Sequence, residues 1–92
     1  MAVPEPIANL VGQVVVVDTD SHMLYIGKLA KVGDDFLELA EADVHSHLDS
    51  HSSREVYIMD ARKLGIRQNR TGAIVLMSRV VSISRLEDVT DY

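Results

Sequence analysis

The chain has 92 residues, a net charge of −5 and no cysteine. That length suits one domain with one modest core, and the missing thiols exclude disulfides, thiolate metal sites and a cysteine nucleophile. At 47% hydrophobic residues the composition is globular, but no apolar run approaches the roughly 20 residues of a membrane helix.

The opening MAVPEPIANL lacks the basic-then-apolar order of a signal peptide, so a cytoplasmic protein off the membrane is expected. Pro4 and Pro6 introduce PIANL, a candidate single helical turn with proline near its start. Gln13 to Asp18 reads as the first strand. Its four valines, Val14 to Val17, are β-branched and continuous, which implies burial on both faces. Asp18 to His22 is a turn, with His22 as a surface turn residue. Met23 to Val32 is the second strand, and Gly27 inside it marks a bend or bulge. Gly33-Asp34-Asp35 turns the chain into a third strand, Phe36 to Ala42.

The alternation then stops. Asp43 to Ser53 is polar and rich in His and Ser. SSREVYIMDARKLGIR reads as a helix. Ser52 and Glu55 have capping-box spacing, Gly65 fits the residue just past the helix end, and Tyr57, Ala61 and Leu64 share one face. A strand through Val56 to Met59 is the competing reading, because short apolar runs are ambiguous by period. Gln68 to Gly72 is a turn. Ala73 to Met77 and Val80 to Arg85 are the fourth and fifth strands, and LEDVTDY is a loose acidic tail.

Charge is unevenly distributed along these elements. Arg54, Arg62, Lys63, Arg67 and Arg70 are opposed between positions 54 and 70 only by Glu55 and Asp60, a local balance of +3. The remainder carries four basic and twelve acidic residues, a balance of −8. The basic stretch is either a solvated helix face or a phosphate-contacting patch. His45, His47 and His51 cluster with Asp43 and Asp49. His45 and His47 would share one side of an extended segment, a pair that could hold zinc or nickel, although His-rich polar loops are also common without metal. No other cofactor is indicated.

Several residues together resemble the Sm-like (LSm) family of ring-forming barrels. Leu10-Val11-Gly12, the alternating Val14 and Val16, Tyr25-Ile26-Gly27-Lys28-Leu29 and Asp34-Asp35-Phe36-Leu37-Glu38 follow the family's first motif, with Gly33 as an extra turn residue. Gly72, Ile74-Val75-Leu76, Val80, Val81 and Ile83 follow its second. The resemblance covers about two-thirds of the chain. It implies an all-β fold with minor α: a five-stranded, strongly bent SH3-like barrel over residues 1–92, with an N-terminal helical turn and a helix inserted at about 43–71. It also implies a cyclic homo-oligomer, in which Ile74, Val75, Leu76 and Met77 of one subunit pair with Val80, Val81 and Ile83 of the next.

The family's RNA-reading residues are replaced here. Uridine-binding members use an Asn that hydrogen-bonds the base edge and an Arg that stacks on it. Those positions hold Glu38, which only accepts, and Met77, which has neither charge nor donor. Asp34 remains, and Ser78 follows Met77 where the family has Gly. The host-factor branch's Tyr-Lys-His is not matched by Leu76-Met77-Ser78 either. The uridine pocket is therefore expected to be degenerate.

Catalysis is not expected. Asp49, His51, Ser52 and Ser53 are local neighbours on one loop, whereas a triad needs separate rigid elements. No nucleophile elbow, P-loop or dinucleotide fingerprint is present. Three readings remain: a ring scaffold associated with RNA through the basic stretch, a protein-interaction ring, and a metal-binding ring using the His-rich loop.

Overall fold

The computed structural model describes residues 4–46 and 53–90. A short helix, α1 (Glu5–Ala8), begins at Pro4, whose carbonyl accepts from the Ile7 and Ala8 amides at 3.1 Å. Five strands follow: β1 (Val14–Thr19), β2 (Met23–Val32), β3 (Phe36–Ser46), β4 (Arg70–Leu76) and β5 (Val80–Arg85). They form one antiparallel sheet in the order β4-β3-β2-β1-β5. The ladder does not close on itself: β4 and β5 are its two open edges.

The valine run is buried on both faces from Val15 to Val17, whereas Val14, expected to be buried with them, is exposed. Val15 and Val17 enter one core with Leu29, Leu37, Leu39, Ala42 and Val75, against which Ile7 and Leu10 pack. Val16 faces the other way and meets Leu24, Ile26, Ala61 and Leu86. Fully burying one such aliphatic side chain is worth about 1.5–3 kcal/mol. The first face is covered by the curl of the sheet and α1. The second is covered by helix α2 (Arg54–Leu64), which crosses over β1, β2 and the end of β3.

Gly27 lies at a bulge. Ile26 pairs with Asp43 and Lys28 with Ala40, so Glu41 and Ala42 together face Gly27. The extra residue is on β3, where Glu41 takes φ +51°. A Cβ on Gly27 would lie 3.1 Å from both the Ala40 carbonyl oxygen and the Ala42 Cα, so only glycine lets the two strands approach this closely.

Residues 53–64 are helix rather than strand. The N-cap is Ser53, whose hydroxyl accepts from the Val56 amide at 3.2 Å, while Ser52 lies outside the described residues. Gly65 ends the helix at φ +95°, donating to the Ala61 carbonyl at 3.0 Å. The packed face is Tyr57, Ile58 and Ala61, whereas Leu64, expected on it, is 78% exposed. The helix stops at Leu64, and Ile66, beyond Gly65, reaches the core instead.

The insertion is shorter than expected. β3 continues to Ser46, and β4 starts at Arg70 inside the expected turn, so among the described residues of the insertion only 53–69 lie outside the sheet. Met77, expected in the fourth strand, begins a 3-10 turn, Met77–Arg79. The acidic tail is anchored at its start: Leu86–Asp88 is another 3-10 turn, and Leu86 is buried. Residues 91–92 lie outside the described residues.

Candidate functional site

A polar network underlies helix α2. On that face of the sheet, β3 presents Asp43 and His45, both buried, and β1 presents Asp18. The Tyr57 hydroxyl donates to Asp43 Oδ2. The His45 ring stacks on Tyr57, with centroids 3.7 Å apart and planes inclined by 16°. Burial, then the hydrogen bond to Asp43 and its negative charge, push the Tyr57 phenol above its ordinary range, with Arg67 opposing. One turn earlier, Arg54 Nη1 meets Asp18 Oδ1 at 2.8 Å, and Ser82 donates to Asp18 Oδ2 at 3.1 Å.

Asn69 fastens the point where the insertion returns to the sheet. Its amide N–H donates to the Ala42 carbonyl at 3.0 Å. Its side chain accepts from the Val44 amide at 3.0 Å and donates to the Val44 carbonyl at 3.0 Å and to Asp43 Oδ1 at 3.1 Å. A side-chain amide thus stands in for one peptide unit of a neighbouring strand.

The positions of the expected RNA pocket lie near one another but on opposite sides. The Met77 amide donates to the Asp35 carbonyl at 2.9 Å, bringing Met77 and Ser78 beside the Asp34-Asp35 turn. Met77 packs against the first core. Glu38 alternates with the buried Leu37 and Leu39 and pairs in register with Lys31 and Ile74, on the opposite face. Asp34 and Ser78 are exposed.

The basic stretch divides. Arg54 is spent on Asp18 beneath α2, whereas Arg62, Lys63, Arg67 and Arg70 are exposed. Arg62 lines an open cleft with Gln13, Val14 and Glu87. Neither Arg67 nor Arg70 has a carboxylate within ion-pair distance among the described residues, and Arg70 Nη1 donates only to the Asn69 carbonyl, at 2.9 Å. Of the histidines, His45 sits on an extended strand as expected, but under α2. Its Nε2 is buried and finds no hydrogen-bond partner among the described residues. His47 and His51 lie outside the described residues, and no group of three or more metal-ligating side chains occurs among those that are described.

The two open edges carry the expected interface residues. On β4, Ile74 is 67% and Leu76 59% exposed, while Val75 between them belongs to the first core. Beyond the far edge, Val81 is 69% exposed at a bulge between Asp18 and Thr19, and Val80 and Ile83 pack partly against the first core. Beside β5, a cleft of about 280 Å³ opens between α2 and the chain's exit, rimmed by Glu55, Ser84 and Asp88.

A scan of protein-family models returns no match, and neither does a search of curated proteins. Sequence reasoning missed Asn69, and it placed Tyr57 on the helix face and Asp43 beside the histidines without joining them. Asn69 sits in a stretch that reads as a turn, and only its contacts reveal it as a clasp.

Proposed function

We propose that this chain is a non-enzymatic, ring-forming scaffold of the Sm-like kind, assembled when the β4 edge of one copy pairs with the β5 edge of the next. The observation that supports this reading is the pair of open sheet edges bearing exposed Ile74, Leu76 and Val81. An unpaired apolar edge strand recruits another chain unless charge, proline or a covering element blunts it. Ile74 to Met77 carries no charge at all. Unlike edges pair head to tail, and such contacts close into a ring when the rotation permits.

Sedimentation tests this reading. The wild-type chain is expected as a multiple of 10.2 kDa and the variant Ile74→Lys/Leu76→Lys as a monomer. A wild-type monomer at micromolar concentration would dispose of the ring.

A second reading, nucleic-acid association, is favoured by the exposure of Arg62, Lys63, Arg67 and Arg70 on one short segment. It predicts binding that weakens with salt and with neutralisation of Arg62, Lys63 and Arg67. In a particle of net charge −5, contacts to the phosphate backbone would be confined to that segment.

A further inference from the structure

We infer that the half of the sheet face left bare beside α2 is a docking surface for one acidic amphipathic helix of a partner protein. Ring assembly would use the outer edges of β4 and β5, so this face is open with or without it.

The register places the surface. Val16 pairs with Ile26 and Ile26 with Asp43, on the face that α2 covers. One row further along the strands the same face continues with Val14 beside Lys28, Lys28 beside Ala40, and Ala40 beside Gly72. Farther still, Glu38 lies between Lys31 and Ile74, and Phe36 lies beside Leu76. Beneath the helix, Val16 and Ile26 are 2% and 0% exposed, whereas Val14, Ile74 and Leu76 are 37%, 67% and 59% exposed. The face is therefore one surface with a helix on half of it.

Size selects a helix as the occupant. The strands β1 to β4, about 4.8 Å apart, span ~14 Å, and β4 runs ~13 Å from Gly72 to Leu76. An α-helix with its side chains is about 10–12 Å across, so the bare half takes a single helix, as the neighbouring half takes α2. An aliphatic stripe at helical spacing would cover Val14, Ile74 and Leu76.

Charge selects the other side of that helix. Lys28, Lys31 and Arg62 are exposed, and none has a carboxylate within ion-pair distance among the described residues. Lys31 Nζ lies 6.0 Å from the Phe36 ring centroid, over the apolar rows. Arg62 reaches the face from α2, across an open cleft that it shares with Val14. The opposing acids are Glu38, within the rows, and Glu87, in the cleft, and Arg85 already holds Glu87 at 3.3 Å. The bare half is thus basic on a chain of net charge −5, so an acidic partner is drawn to this face and turned away from the acidic remainder. Nucleic acid fits less well, because the bare apolar side chains are aliphatic and bases stack on exposed aromatic rings.

The test is fluorescence anisotropy with a labelled peptide of about 15 residues, carrying Leu along one helical face and Glu along the other. The wild-type chain is expected to bind it, less tightly as salt rises. Lys28→Glu/Lys31→Glu and, on α2, Arg62→Glu are each expected to weaken binding, the double variant about tenfold or more. Replacing the peptide's Leu by Ser, or using an oligothymidylate of equal charge, is expected to weaken it similarly. Circular dichroism verifies folding, and the variants are expected to sediment as the wild type does, which keeps this result apart from that of the ring. No binding of the Leu/Glu peptide, or binding unchanged in both variants, overturns the docking surface. Equal binding of the Ser peptide or of oligothymidylate also overturns it, since attraction of anions alone would then suffice. A change in sedimentation would assign the lysines to contacts between copies and overturn it as well.

Discussion

Tyr57 donates its hydroxyl to the carboxylate of Asp43, joining the first turn of α2 to the far end of β3. Asp43 is 3% exposed, so its charge is tolerable only because Tyr57 and Asn69 both donate to it. The same tyrosine ring covers His45. Polar residues that read as a loop in the sequence therefore hold the helix on the sheet.

Tyr57→Phe keeps the ring stack and removes the donor. A carboxylate left short of a buried partner costs about 1–3 kcal/mol. Urea denaturation is expected to show that loss, with α2 amides exchanging faster than those of β1 and β2. An unchanged midpoint would mean that the bond contributes nothing.

Alkaline pH acts on the same bond. The fold favours the protonated phenol, so the folded state keeps this proton above the ordinary value of 10.0. The stabilisation is complete below that value and declines as pH rises towards the higher folded one. Absorbance titration is expected to show one tyrosine ionising late. In Tyr57→Phe that late phase disappears and this component of the alkaline decline is abolished.

Asn69→Asp tests the clasp. The new side chain could still accept from the Val44 amide but could not donate to its carbonyl, and it would face Asp43 with like charge. A loss of about 2 kcal/mol is expected, with partial recovery at acidic pH as the introduced carboxyl is protonated. Thermal melts at two pH values would measure both effects.

Gly27→Ala forces backbone against backbone. With the Ala40 oxygen and Ala42 Cα each 3.1 Å from the new methyl, the bulge must open, at about 1–3 kcal/mol. A melting temperature equal to the wild type would show that the strands can separate freely there.

Short uridine oligomers are expected to bind weakly, since Glu38 and Met77 lie on opposite faces of the sheet and neither can donate to a base. Fluorescence anisotropy with a labelled oligomer would check this. Tight binding abolished by a change at Glu38 would show that the pocket works after all.

Much of the sheet is readable in the sequence because its signals are local. Val15 to Val17 alternate between two cores, Gly27 sits at its bulge, and Gly65 ends its helix. The end of β3 is not readable in the same way. Asp43 and His45 keep the strand's period of two, but they face a helix through polar contacts, so hydropathy signals a loop. Leu64 obeys helical spacing yet falls beyond the covered turn. The role of Asn69 depends on Val44 and Asp43, 25 and 26 positions away, a relationship that no window along the chain contains.

The insertion leaves and rejoins the sheet at a single neck, where Ala42 pairs with Arg70 and Asn69 binds across to Val44. Because the ladder holds that neck shut, the length of chain beyond it is only weakly constrained: each doubling of a loop costs about 0.6 kcal/mol. The helix itself is fixed by what it covers on β1, β2 and β3. Val56 and Leu64, exposed on the helix, bear no such duty to the sheet. The architecture thus separates a packed frame from outward helix positions where new surface chemistry can be tried at little thermodynamic risk.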